Sequence, residues 1–176
     1  EGGPGVKDVF ELLKGSDTVE ADISNFLRTL VIFWLIGATD GHAKNFSIFL
    51  NPGGRFRMTP LYDVLSAQPS LDSGQIQRKN YKLAMSVGKS RHYRVEDVLP
   101  RHFYQSAAQA GISATLVRSI FDDIAAHTMT KTEQTINALP DGFPEALVAS
   151  ISKAMTHRIE MIKHSLVHDQ PLPPAS

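Results

Sequence analysis

The sequence predicts a mainly α fold carrying one small β-hairpin. Two observations predict it. Apolar residues recur at helical spacing in one stretch after another, from Val6 to Leu166. The clearest strand signal is the block 46–59, which reads as strand, turn, strand.

Val6, Val9, Phe10 and Leu13 place a first helix over residues 6–14, ended by Gly15. Asp17 with Glu20 resembles a capping box and starts a long helix. Its Ile23, Phe26, Leu27, Leu30, Val31, Trp34 and Leu35 widen from a stripe into an apolar surface on nearly all sides, the pattern of a central core helix. Gly37 ends it. Phe46–Leu50 is rich in aromatic and branched residues, 51–54 is Asn-Pro-Gly-Gly, and Arg55–Thr59 alternates polar with apolar. After Asp63, residues 64–67 predict a short helix ended by Pro69, and 72–94 an irregular stretch around a short strand at Tyr81–Met85. Three helices follow. One spans Arg101–Ala110, after Pro100. Ser113 caps the next, with Leu116, Val117, Ile120, Phe121 and Ile124 on one face. Pro144 opens the last, with Leu147, Ile151, Met155, Ile159, Ile162 and Leu166 as its stripe. Residues 1–168 read as one domain and 169–176 as a frayed tail.

A chain of 176 residues can bury a sizeable core. Its 18 basic and 18 acidic residues cancel, so no global field draws nucleic acid or an anionic membrane. The absence of cysteine excludes a disulfide scaffold and thiolate-held zinc, and fits a reducing, cytoplasmic setting. Leu30–Ile36 is too short to span a bilayer, so no membrane role is expected. The start, Glu-Gly-Gly-Pro-Gly without methionine, reads as cut from a longer chain. The histidines show no H-E-x-x-H or comparable ligand pair, which speaks against zinc, and no G-x-S-x-G suggests a serine hydrolase.

The chemistry concentrates around the hairpin. Asp40 and Asn45 lie in Thr-Asp-Gly-His-Ala-Lys-Asn over 39–45, and Asp63 ends Pro-Leu-Tyr-Asp over 60–63. An antiparallel hairpin returns its second end to where its first began, so Asn45 and Asp63 should meet at one mouth, beside Asp40. Two hard oxygen ligands and a spare carboxylate suit Mg²⁺ and a phosphate substrate. Phosphoryl transfer to a hydroxyl uses such a set: one aspartate orients and deprotonates the hydroxyl, while an asparagine five positions on and a second aspartate hold the metal. Local chemistry leaves another reading open, in which Asp40 caps a turn, Asn45 closes a loop and Asp63 starts a helix.

Longer stretches then resemble a known family. Glu-Gly-Gly-Pro-Gly at 1–5, Trp-Leu-Ile-Gly-Ala-Thr-Asp-Gly-His-Ala-Lys-Asn at 34–45, Pro-Leu-Tyr-Asp at 60–63, Lys-Leu-Ala-Met at 82–85 and Pro-Arg-His-Phe at 100–103 occur in order and resemble the C-terminal region of HipA, the toxin kinase of bacterial toxin–antitoxin pairs. The resemblance implies the C-terminal helical lobe of a protein-kinase-like two-lobe fold. It implies an ATP- and Mg²⁺-dependent serine/threonine protein kinase that phosphorylates a serine of an aminoacyl-tRNA synthetase, typically the glutamyl enzyme, arresting translation and driving persistence. A helix-turn-helix antitoxin would be its partner, with DNA reached mainly through that partner. Carried over, Asp40 is the proton acceptor; His42, Ala43, Lys44, Asn45, Tyr62 and Asp63 form the ATP site; Asn45 and Asp63 are the Mg²⁺ ligands. The family's Gly-rich nucleotide loop, ATP-binding lysine and autophosphorylated serine are not in this sequence, so the chain alone is expected to be inactive without an N-terminal ATP lobe.

Two other functions fit less well: a non-catalytic module binding an antitoxin–operator complex, and a small-molecule kinase lobe. Arg78, Lys79, Lys82, Lys89, Arg91 and Arg94 form a basic stretch that reads either as a solvated loop or as a docking surface for synthetase, DNA or antitoxin. The helix after Pro-Arg-His-Phe contains no further Lys or Arg, which argues against direct DNA contact there.

Overall fold

The long apolar helix lies at the centre of the molecule. In a computed structural model that describes residues 3–168, it runs from Val19 to Ile36 (α2), preceded by α1 (Val6–Leu13). A 3₁₀ turn (Ala43–Asn45) leads into the hairpin β1 (Ile48–Asn51) and β2 (Arg55–Met58). A short α3 (Gln68–Asp72) and a second hairpin, β3 (Lys82–Val87) and β4 (His92–Arg94), come next. Helices α4 (Pro100–Gln109), α5 (Ala114–Asn137) and α6 (Glu145–His168) complete the order. The tail expected at 169–176 lies outside the described residues.

Phe26, Leu27, Val31, Trp34 and Leu35 of α2 are all but sealed from solvent. They pack with Phe10 and Leu13 of α1, Phe103 of α4, Phe121 of α5, and Ile159 and Ile162 of α6. Phe10 and Phe26 meet edge-on at 4.9 Å, and Phe26 and Phe46 at 5.0 Å. The Trp34 indole N–H donates to Val95 O at 3.2 Å. This matches the all-round apolar pattern.

Both ends of α2 are tied to the hairpin and its loops. Asp17 does not cap the helix as the sequence suggested. Thr18 is the N-cap, its N–H donates to Ser16 Oγ at 3.0 Å, and Asp17 turns outward to accept from Asn51 Nδ2 at 3.3 Å. The buried Asp22 takes the Ser16 hydroxyl at 2.5 Å and the Met58 N–H at 2.9 Å, which pins β2 against the first turns of α2. At the other end Gly37 adopts φ +67°. Ala38 N–H reaches Phe33 O at 2.8 Å and Gly37 N–H reaches Trp34 O at 3.2 Å, a Schellman closure.

Three expectations are corrected. Residues 64–67 are not helical; α3 begins at Gln68, and Pro69 lies in its first turn, where a missing N–H costs nothing. The stretch 72–94 is irregular only up to residue 81, apart from a 3₁₀ turn at Arg78–Asn80; from Lys82 on, β3 and β4 form a second antiparallel hairpin. Its signal is faint because β4 has three residues and the pairing contains a register irregularity. Along β3, Leu83, Met85 and Val87 are buried in alternation, so the strand runs past Met85. The basic stretch lies in this region and is partly neutralised: Arg78 meets Glu96 at 2.5 Å, and Arg94 meets Glu96 at 3.5 Å and Asp97 at 3.6 Å.

His102 of α4 is buried, its Nδ1 accepts the Leu99 N–H at 3.1 Å, and its ring stacks on His92 at 3.8 Å. Burial above all, with His92 and Arg101 nearby, lowers its pKa from 6.5 to about 4. The unfolded chain therefore protonates this ring first, so stability falls as pH drops from about 6.5 to about 4. Urea unfolding across that range should show the fall. His102→Gln keeps an acceptor for Leu99 but does not titrate, so it should remove this component.

Candidate functional site at the hairpin mouth

The loop leaving α2 is set by close packing. A Cβ on Gly41 would lie 2.2 Å from the Phe33 ring, so only glycine lets the backbone pass there. Residues 43–45 make one 3₁₀ turn, with Asn45 N–H on His42 O at 2.9 Å. Phe46 follows directly and packs onto Phe26 and Phe33. That apolar anchor draws Asn45 inward, leaving it 4% exposed.

The hairpin then brings the second arm back. Ile48 pairs with Met58, and Thr59 N–H extends the ladder to Ser47 O at 2.9 Å. Tyr62 crosses the mouth: its hydroxyl donates to Lys44 O at 3.3 Å and lies 2.6 Å from Ser47 Oγ. Asp63 follows in a left-handed backbone, φ +56°. For an aspartate this costs about 1 kcal/mol or more and is tolerated where surroundings fix it. Its Oδ2 accepts the Asn45 side-chain amide at 3.0 Å. Two residues separated by 18 positions are thereby joined.

Asn45 spends its Nδ2 on Asp63, while its Oδ1 is buried without a hydrogen-bond partner. A buried carbonyl oxygen left unpaired costs about 1–3 kcal/mol. A hard cation would satisfy it, and Asn45 Oδ1 with the Asp63 carboxylate is an oxygen pair of the kind Mg²⁺ takes, with water and phosphate completing the shell. Among the described residues no three His, Cys, Asp or Glu side chains group as a metal site, so any metal here would rest on the amide and one or two carboxylates.

The remaining candidates occupy the rim. Asp40 is 78% exposed and its Oδ1 lies 3.2 Å from His42 Nε2, so its carboxylate is open to solvent beside the imidazole. His42 Nδ1 is buried and unpaired. Lys44 points to solvent, and Ala43 is half-buried. The geometry thus joins Asn45, Asp63, Tyr62 and the Lys44 backbone at the mouth, and pairs Asp40 with His42 separately on the same loop. Ile48, Phe49, Leu50, Leu61 and Leu65 leave an apolar surface exposed around them.

The sequence reading missed a second layer behind the site. Gln68, Tyr81 and Arg158 are buried and hydrogen-bonded together. Arg158 did carry a signal: three residues after Met155 and four before Ile162, it falls on the buried face of α6. His164 and His168, four apart on α6, have rings 4.2 Å apart, a pair the search for H-E-x-x-H overlooked.

With the geometry established, comparison with known proteins identifies the lineage. The HipA-like C-terminal domain profile matches residues 1–132. The chain belongs to the HipA-like C-terminal domain family. Y4mE of Sinorhizobium fredii (strain NBRC 101917 / NGR234), a protein provisionally named a kinase, is 28% identical over 170 residues, covering 94% of this chain and 38% of its own. Y4dM of the same strain, named likewise, is 30% identical over 103 residues, covering 58% of this chain and 23% of its own. A chain of the solved complex of HipA, HipB and operator DNA from the Shewanella oneidensis MR-1 toxin–antitoxin system shares the fold. Its TM-score is 0.80 at 21% identity, over 98% of this chain and 39% of that one. This HipA-like chain therefore spans about two fifths or less of the relatives it matches. No helix among the described residues is long and apolar enough to cross a membrane.

Gly41→Ala should lower unfolding stability by about 1–3 kcal/mol through overpacking against Phe33. Adding Phe33→Leu should recover part of the loss in the same urea titration.

Proposed function

We propose that this chain is the catalytic, C-terminal lobe of a two-lobed, ATP- and Mg²⁺-dependent serine/threonine protein kinase of the HipA toxin type. The observation that carries the reading is the Asn45–Asp63 hydrogen bond with an unpaired, buried Asn45 Oδ1 beside it. Family membership supports kinase-type chemistry, and the provisional kinase naming of Y4mE and Y4dM points the same way.

In this reading Asn45 and Asp63 would hold Mg²⁺, which would supply neutralising charge for the phosphoryl group being transferred. Asp40 accepts the proton of the attacking serine hydroxyl, and its exposure leaves room for that side chain. His42, whose Nε2 lies 3.2 Å from Asp40 Oδ1, is placed to orient that carboxylate. Lys44 is free to approach phosphate oxygens from the rim. Tyr62 bolts the two arms together through Lys44 O and Ser47, keeping Asp63 and Asn45 in register. The apolar surface of the hairpin is suited to an N-terminal lobe that completes the nucleotide site, so the chain by itself binds ATP weakly.

The proposed acceptor is a serine of an aminoacyl-tRNA synthetase, such as the glutamyl enzyme, in the cytoplasm. The Shewanella complex contains HipB and operator DNA; by analogy, the proposed partner is a helix-turn-helix antitoxin that mediates contact with DNA.

The test is phosphate transfer from γ-labelled ATP by the full-length protein. Asp40→Ala and Asp63→Asn should each reduce the rate by about a thousandfold or more, with unchanged circular dichroism and melting. Transfer at the original rate in either folded variant would remove that residue from the mechanism. No transfer by the unmutated protein to any synthetase would favour a purely binding role.

A further inference from the structure

We propose that Arg158, acting through Gln68 and Tyr81, is a positioning residue that locks the two arms of the candidate metal site together. The inference rests on the kinase reading for its functional consequence, but the lock itself is geometric. One arm leaves the C-terminus of α2 and carries Asp40 and Asn45. The other is the segment from Asp63 to Gln68.

A helix end leaves its last carbonyls without partners inside the helix. Here those of α2 are assigned one by one. Phe33 O and Trp34 O take the backbone N–H groups of Ala38 and Gly37. Leu35 O takes Arg158 Nη1 at 2.8 Å. Ile36 O takes the Ser66 hydroxyl at 2.5 Å, and Gly37 O takes Ala67 N–H at 2.9 Å. The residues just past Asp63 are therefore zipped onto the end of the helix from which the Asp40 loop departs.

Arg158 clamps that junction from α6. Its Nη2 donates to Gln68 Oε1 at 3.0 Å and to the Tyr81 hydroxyl at 3.3 Å, and Tyr81 itself donates to Gln68 Oε1 at 2.7 Å. One planar guanidinium thus bonds the first arm at Leu35 and the second at Gln68. Lysine lacks the fork to bridge both with this geometry. Gln68 is oriented in turn, since its Nε2 donates to Asp72, which also accepts the Ser150 hydroxyl at 2.6 Å. Burial raises the Tyr81 pKa, so the hydroxyl stays protonated and donating. Tyr81 also fills the space over Gly37, where a Cβ would lie 1.6 Å from its oxygen. Arg158 is 8% exposed and its hydrogen bonds among the described residues end on neutral oxygens. The group borders a cavity of about 1270 Å³ between α3, the segment at 74–78 and α6, through which a small solute can reach it.

The test uses the full-length protein with Arg158→Ala, Arg158→Lys and Tyr81→Phe. Three readouts apply: Mn²⁺ affinity by electron paramagnetic resonance, steady-state kinetics, and amide exchange. Arg158→Ala should weaken Mn²⁺ binding and reduce kcat by about tenfold or more, with KM for the protein acceptor unchanged. Amides of 37–45 and 63–68 should exchange faster, while those of α5 stay protected. Guanidinium at a few millimolar should restore part of the loss in Arg158→Ala, and Arg158→Lys should not substitute for it. Tyr81→Phe removes one hydroxyl and should give a change of about threefold; it carries the test if Arg158→Ala does not fold. Unaltered Mn²⁺ affinity and unaltered exchange in a folded Arg158→Ala or Tyr81→Phe protein would overturn the proposal. If the unmutated protein neither binds Mn²⁺ nor transfers phosphate, the kinase reading fails, and the exchange pattern alone decides whether Arg158 holds the two arms.

Discussion

Helix α2 is apolar on nearly every side, and such a helix is stable only when other elements cover it completely. Covering it fixes where everything else goes. Helices α1, α4, α5 and α6 surround it, and the polar groups at its two ends become the points from which the loops are hung. Asp22 near the start holds β2 by a backbone N–H, and the carbonyls at the finish hold the segment around Ser66 and Ala67. The hairpin and the loop that carry the candidate chemistry are thus fastened to opposite ends of one rigid rod. A site assembled from surface loops gains its precision this way.

The constellation at the hairpin mouth was legible because its logic is local. Strand, turn and strand composition predicts that the flanks of the hairpin converge, and Asn45 and Asp63 are those flanks. The same reasoning extends to Tyr62, whose hydroxyl closes the mouth. It did not reach the buried layer behind. Leu35 and Arg158 are 123 positions apart and Gln68 and Arg158 are 90 apart, and no local pattern announces such contacts. An arginine on an apolar helical face is easily passed over as a break in the stripe. The second hairpin was hidden for a different reason: its return strand is short and its pairing irregular, so the periodicity of two barely develops. Asp17 misled because it has the right residue type one position too early, and the hairpin tip offers its carboxylate a competing partner in Asn51.

In the proposed kinase reading, Asp40 and Asp63 would take different tasks, and their surroundings differ accordingly. Asp63 is committed on one oxygen to an amide and is held in an unfavourable backbone state, so its position is fixed before any ligand arrives. Asp40 is open to water, with the His42 imidazole 3.2 Å from its carboxylate. A rigid carboxylate suits ligation, where distance tolerances are small, whereas an exposed one with a single orienting contact suits an exchange partner that must meet a mobile hydroxyl.

The left-handed backbone at position 63 also limits how the protein can change over generations. Glycine adopts that conformation without steric cost, and asparagine and aspartate do so at less cost than most other residues. In the proposed kinase reading, a lineage abandoning catalysis would therefore drift there through asparagine or glycine, keeping the turn while discarding the charge. A non-catalytic descendant should remain recognisable by an intact hairpin around a neutral residue 63.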